Sequence, residues 1–112
     1  MLIFLLSTAI ANTPITTTVR VVEAPRPTPH CGIFHFVALA RVEAVSSTAG
    51  LPTEPFAIAI SCPEMSPPLI AGETLCMTIS DQDPGWPLGM IDTTGATSWW
   101  YALSITPTCA PR

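Results

Sequence analysis

The residues whose chemistry most constrains this 112-residue chain are four cysteines: Cys31, Cys62, Cys76 and Cys109. They are separated by 31, 14 and 33 residues. Because no C-x-x-C pair occurs, the spacing indicates neither a zinc knuckle nor a thioredoxin-like redox pair. An even number of cysteines in a short chain predicts two disulfides, with three possible pairings that spacing leaves open. Four reduced, buried cysteines in a cytosolic protein are the alternative.

Two histidines flank the first cysteine, and His30, Cys31 and His35 are all of types that bind transition metals. On an extended chain Cys31 and His35 lie on the same side but about 13 Å apart, at roughly 3.3 Å per residue. One ion would not reach both residues without a bend in the chain. We therefore predict a disulfide for Cys31, a surface position for His35 and no metal centre between them.

A set of carboxylates follows at Asp81, Asp83 and Asp92, positions 1, 3 and 12 of an EF-hand-like count. Calcium prefers oxygen ligands gathered in one turn, which makes this spacing worth testing. However, Gly85 and Trp86 stand where position 5 needs a further ligand and position 6 needs the turn glycine. We therefore favour an ordinary Asp-Pro-Gly turn. We predict that the chain binds no metal. If it does bind one, the three aspartates are the candidate ligands.

The most informative cluster is aromatic and consists of Trp99-Trp100-Tyr101, with Trp86 in the preceding loop. On a strand, Trp99 and Tyr101 share one face while Trp100 points to the other. Because only one face lines the core, we expect at least one large aromatic at the surface, as in sites that bind peptides, glycans or partner proteins. Alternatively, Trp86 and its loop pack over Trp100 and complete a small core. Trp86, Trp99, Trp100 and Tyr101 are thus the candidate binding residues.

Composition and motifs exclude several functional classes. With four Arg, no Lys, eight acidic residues and a net charge of −4, the chain lacks the basic surface that binds nucleic acid. There is no G-x-S-x-G, H-E-x-x-H or Gly-rich phosphate loop, and only two His are present. We therefore predict a protein that is not an enzyme, needs no cofactor and binds no nucleic acid.

Alternating apolar residues predict the strands that position these side chains. Four strands are expected: Ile33–Val45, Phe56–Cys62, Thr74–Ser80 and Trp99–Thr106. The first also has helix-forming residues, but its Phe-x-Phe motif and valines favour a strand.

The intervening segments have a different composition. Thr16–Glu23 is β-branched and fits an edge strand, and the alternate prolines of residues 24–29 predict an extended polyproline connector. Asp81–Ser98 is rich in Pro and Gly and predicts a long loop with one short helical turn near Leu88–Met90. Several strands without a strong helix predict an all-β fold, a small five-stranded OB-like barrel stabilised by disulfides, with a β-sandwich as the alternative.

The first eleven residues predict a secretory leader. An apolar run ends in Ala9-Ile10-Ala11, an A-x-A cleavage pattern, although no Lys or Arg precedes it. The run is shorter than the roughly 20 residues of a transmembrane helix. We therefore expect a signal peptide over 1–11, a Thr/Pro-rich segment over 12–30, a barrel domain over 31–109, and a secreted protein, extracellular or periplasmic.

Two short strings resemble the netrin-like module, the OB-type domain of tissue inhibitors of metalloproteinases. Ala38–Val45 (Ala-Leu-Ala-Arg-Val-Glu-Ala-Val) is similar to its first-strand motif, and Leu69–Gly72 with the strand after it is similar to a later stretch. Cys31 and Cys109 stand where that module places half-cystines. The resemblance implies an OB-type binding scaffold. It does not carry over the inhibitory residues, because Cys31 has no C-x-C partner and lies about twenty residues past the expected cleavage site.

Three hypotheses about function follow. The first is a secreted, non-catalytic binding module whose contact surface includes the aromatic residues and which recognises a protein or glycan. The second is a secreted protease inhibitor of netrin-like type. The third is a fragment or chance reading frame without evolved function, since absent Lys and abundant Ala, Pro and Thr are expected from GC-rich DNA read in any frame.

Overall fold

The computed structural model describes residues 14–86, 88–92 and 95–109, so the expected leader lies outside the described residues. The described chain forms six strands and one short 3-10 helix. They are β1 (Ile15–Glu23), β2 (His35–Ala44), β3 (Phe56–Ser61), the 3-10 helix (Pro63–Met65), β4 (Thr74–Ser80), β5 (Leu88–Asp92) and β6 (Trp100–Thr106). No helix in the described part of the chain is long and apolar enough to cross a membrane.

Five of the strands close into a barrel in the order β1-β2-β3-β6-β4, with β4 pairing back onto β1. β3 and β6 run parallel, and the other barrel contacts are antiparallel. This is the Greek-key order of an OB-type barrel. The predicted all-β, five-stranded, OB-like fold is therefore confirmed.

The barrel interior is filled by one apolar cluster to which every barrel strand contributes. Alternation works as predicted on β4, where Leu75, Met77 and Ile79 point into this cluster. The members that are almost completely inaccessible to water are Val19, Val21, Val42, Ile58, Ile60, Met77 and Ile79. Branched side chains dominate the cluster because they pack well on a pleated surface.

The N-terminal strand is a full part of the barrel, which corrects two expectations. β1 pairs with β4 over Ile15–Arg20 and with β2 over Val19–Glu23, so it is not an edge strand. The barrel therefore begins at Ile15, within the segment expected to precede the domain. The threonines of β1 obscure the alternation of apolar residues in the sequence. In the sheet, Thr16 lies opposite Thr78, and their hydroxyl oxygens are 2.9 Å apart.

The long loop after β4 contains a strand in place of the expected helical turn. β5 runs parallel to β2 and pairs with it over His35–Ala38. The same edge of β2 pairs with β1 only from Arg41 onward. β5 therefore occupies the free edge that β1 leaves uncovered, and this tertiary pairing overrides the weak strand propensity of a Gly- and Pro-rich segment.

All four cysteines form disulfides, as predicted. Cys31 is bonded to Cys62, and Cys76 is bonded to Cys109. The first bond ties the connector after β1 to the end of β3, and the second ties the residues after β6 to β4. Each closes a loop of more than thirty residues, which restricts the unfolded chain and stabilises the small barrel.

Candidate functional site

A second apolar cluster lies on the outer face of β2 and β3, outside the barrel core. Its buried members are Val37, Leu39 and Ala59, which alternate with side chains that point inward. Four partly buried residues pack over them: Trp86, Ala96, Trp99 and Tyr101. We call this set the outer aromatic cluster. The loop between β4 and β6 thus folds back over the strands and covers part of their outer face.

The structure brings three of the four aromatic candidates together. The Trp86 and Tyr101 rings meet edge to face, with centroids 5.7 Å apart. Trp100 points to the other side, as period two requires, and packs on Phe56 in the barrel core with centroids 5.9 Å apart. In the described residues, the loop therefore covers the face of Trp99 and Tyr101, whereas Trp100 packs against the barrel core.

A groove of about 370 Å³ runs beside the outer aromatic cluster. Apolar residues that line it include Leu39 and Ala57 of the barrel and Ala96 of the β4–β6 loop. Charged side chains of Glu23, Arg26 and Arg41 also line it. The guanidinium of Arg41 lies 3.7 Å from the carboxylate of Glu23, and both side chains are half or more exposed. The groove therefore offers apolar side chains together with hydrogen-bond donors and acceptors.

The position of this groove matches where OB-type barrels bind their ligands. In that fold the ligand lies on the outer face of the second and third strands, between the loops that follow the first and fourth. Here those strands are β2 and β3, and those loops are residues 24–34 and 81–99. Sequence reasoning found the aromatic residues of this face but missed Arg41 and Glu23, because their meeting depends on the register between β1 and β2.

The first two aspartates of the EF-hand-like count lie in the segment after β4, where Asp83 forms an ordinary turn. Asp81 and Asp83 are exposed, and Asp83 Oδ1 accepts a hydrogen bond from the Gly85 N–H at 2.8 Å. This hydrogen bond two residues along the chain is typical of Asx turns. The side chain of Asp92 lies outside the described part of the structure.

The Cys31–Cys62 disulfide is surrounded by polar groups that the sequence did not place there. The chain bends after Cys31, where the Gly32 N–H donates to the Phe34 carbonyl at 3.1 Å. The bend brings His35 back to the disulfide, with its Nδ1 3.7 Å from the Cys62 Sγ. The estimate of 13 Å between Cys31 and His35 is therefore wrong, because it assumed an extended chain. Cys62 has a left-handed backbone (φ 50°), a strain that recurs at functional sites.

Glu64 also lies beside the Cys31–Cys62 disulfide. Its Oε2 accepts a hydrogen bond from the Cys31 N–H at 2.8 Å. That hydrogen bond, with smaller contributions from nearby His30 and His35, holds the pKa of Glu64 below its usual value. No motif marked Glu64, because it reaches Cys31 only through the disulfide-linked turn at the end of β3.

The fold and the face described above define a disulfide-bonded OB-type barrel with an outer aromatic cluster and a groove beside it. Comparisons with protein-family models, with curated proteins and with solved structures find no match to this chain.

Proposed function

We propose that this protein is a secreted, non-catalytic binding module that holds a protein or glycan ligand in the groove beside the outer aromatic cluster. The observation that carries the proposal is the coincidence of this cluster with the ligand face of an OB-type barrel. Half-buried aromatic rings supply contact area at little entropic cost, and the Arg and Glu side chains that line the groove supply orienting hydrogen bonds.

The disulfides support the extracellular location that this proposal includes. Two disulfides in a small domain are consistent with an oxidising compartment. The net charge of −4, with no lysine, favours protein or glycan ligands over nucleic acid. We do not extend the netrin-like resemblance to protease inhibition, because Cys31 follows β1 and is bonded to Cys62.

The test is a screen of the purified chain against arrayed extracellular protein domains and glycans. The chain is expressed from Met1 in a secreting host, where we expect it in the medium, beginning at Asn12. Hits are titrated with the wild type and with two groove variants, Arg41→Ala and Trp99→Ala. We expect each to weaken binding at least tenfold, because Arg41 lines the groove and Trp99 belongs to the outer aromatic cluster beside it.

The matched control is Thr78→Ala, which changes an exposed hydroxyl on β4, away from this face. It should bind like the wild type. Ligand binding that both groove variants leave unchanged would place the interface elsewhere on the barrel. The type of array that yields the groove-dependent hit decides between protein and glycan.

A further inference from the structure

The disulfide at the end of β3 lies within a set of metal-ligating atoms. The Sγ atoms of Cys31 and Cys62 and a ring nitrogen of His35 all lie within 4.8 Å of one another. Cys31 and His35 are half-buried, and Cys62 is buried. Two thiolates and one imidazole form a donor set that selects zinc among the common divalent ions.

The spacing of these atoms suits a tetrahedral ion. With Zn–S near 2.3 Å and Zn–N near 2.0–2.1 Å, tetrahedral angles place sulfur and nitrogen about 3.6 Å apart and the two sulfurs about 3.8 Å apart. The distance between Cys62 Sγ and His35 Nδ1 is already 3.7 Å. The two sulfurs, which are now bonded to each other, must separate to bind one ion.

We propose that reduction of the Cys31–Cys62 disulfide converts this cluster into a Zn²⁺ site formed by the two sulfurs and His35 Nδ1. A dithiol reductant donates two electrons and two protons to the S–S bond and is itself oxidised to a cyclic disulfide. The two new thiols then lose their protons as Zn²⁺ binds both sulfurs. The imidazole binds in its neutral form with the proton on Nε2. The fourth position is left to water.

The surroundings of the sulfurs suit thiolate ligands. The Phe36 N–H points at Cys31 Sγ from 3.3 Å, and the Ser61 hydroxyl donates to Cys62 Sγ at 3.7 Å. Hydrogen bonds to ligating sulfurs stabilise their negative charge and fix their orientation. In the described residues, the Cys76–Cys109 disulfide belongs to no such three-ligand group. In the described residues, reduction would therefore produce a three-ligand metal site at Cys31–Cys62 but not at Cys76–Cys109.

The zinc site would make the same connection as the disulfide. In either state, the segment before β2 is tied to the end of β3, by an S–S bond under oxidising conditions or by Zn²⁺ under reducing conditions. This inference is independent of the groove, because neither Arg41 nor the outer aromatic cluster contributes a ligand. Failure of one proposal therefore leaves the other standing.

The experiment measures Zn²⁺ and Co²⁺ binding by the full chain in its oxidised and reduced forms. The reduced protein is prepared with a dithiol, which is removed by gel filtration under nitrogen before metal is added. We expect one equivalent of Zn²⁺ to bind to the reduced protein and none to the oxidised one. Co²⁺ in the same site should show thiolate-to-metal charge-transfer absorption and the visible bands of a tetrahedral ion.

Variants distinguish zinc bound at this site from zinc bound by cysteine thiolates alone. His35→Ala should weaken binding at least tenfold, since even loss of an outer-shell partner costs that much. The C76A/C109A double variant should keep the full equivalent, and near-ultraviolet circular dichroism checks that it remains folded. The proposal fails if the reduced wild type binds no zinc at micromolar concentration. It also fails if H35A binds as tightly as the wild type, which would show that His35 is not a ligand.

Discussion

At the scale of single residues, Gly50 and Gly72 show how the backbone limits substitution. Both have φ of +91°, a conformation that is strained for residues with a Cβ. We expect Gly50→Ala and Gly72→Ala each to lower the free energy of unfolding by about 1–3 kcal/mol, measured by urea denaturation. A Cβ at Gly50 would also meet Ile15 Cδ1 at 2.8 Å, whereas one at Gly72 would meet nothing within 4 Å.

The contact at Gly50 should add little to the cost, because Cδ1 is the end of a side chain that can rotate. A double-mutant cycle with Ile15→Val, which removes Cδ1, measures this contribution directly. We expect a coupling of about 0.5 kcal/mol or less. Variants of both glycines that are as stable as the wild type would contradict the assigned backbone conformation.

At the scale of elements, the Cys76–Cys109 disulfide holds the end of β6 against β4. Cys76 pairs with Thr106 in the sheet, and the bond continues this connection beyond the last residue of β6. Replacing both cysteines by alanine should lower the free energy of unfolding by about 2–4 kcal/mol, the usual value for a loop of this length. Amide exchange should accelerate first at the C-terminal end of β6.

The C31A/C62A double variant serves as the matched control, because it opens a loop of nearly equal length elsewhere in the barrel. Its urea midpoint should fall similarly, but β6 should stay protected from exchange. Equal exchange patterns in the two variants would show that neither disulfide acts locally.

The same scale shows what the sequence predicts well and what it does not. β4 has its predicted bounds, and β3 differs from its prediction by one residue, because Pro and Gly limit segments with clear alternation. The predicted edge position of β1 and the predicted helical turn at β5 are wrong, because the place of each segment in the sheet depends on the strands that pair with it. Likewise, the aromatic residues could be assigned to faces from period two, whereas the approach of His35 to Cys62 depends on a bend that no local pattern marks.

At the scale of the whole molecule, a closed barrel around one core predicts all-or-none unfolding. Each barrel strand contributes to the main cluster, and β1 closes the sheet on both sides. No barrel strand can therefore leave without exposing part of the same core. We expect a single transition in urea, with coincident curves from far-ultraviolet circular dichroism and tryptophan fluorescence.

The tryptophans make this test specific, because they report on different parts of the molecule. Trp100 packs on Phe56 in the barrel core, while Trp86 and Trp99 belong to the outer aromatic cluster. A W86F/W99F variant leaves Trp100 as the reporter of the core, and Trp100→Phe leaves the two reporters of the outer face. If the groove is a preformed binding surface, both variants should give the midpoint seen by circular dichroism. An earlier transition on the outer face would mean that the loop unfolds separately from the barrel. The absence of any cooperative transition would favour a chain without evolved function.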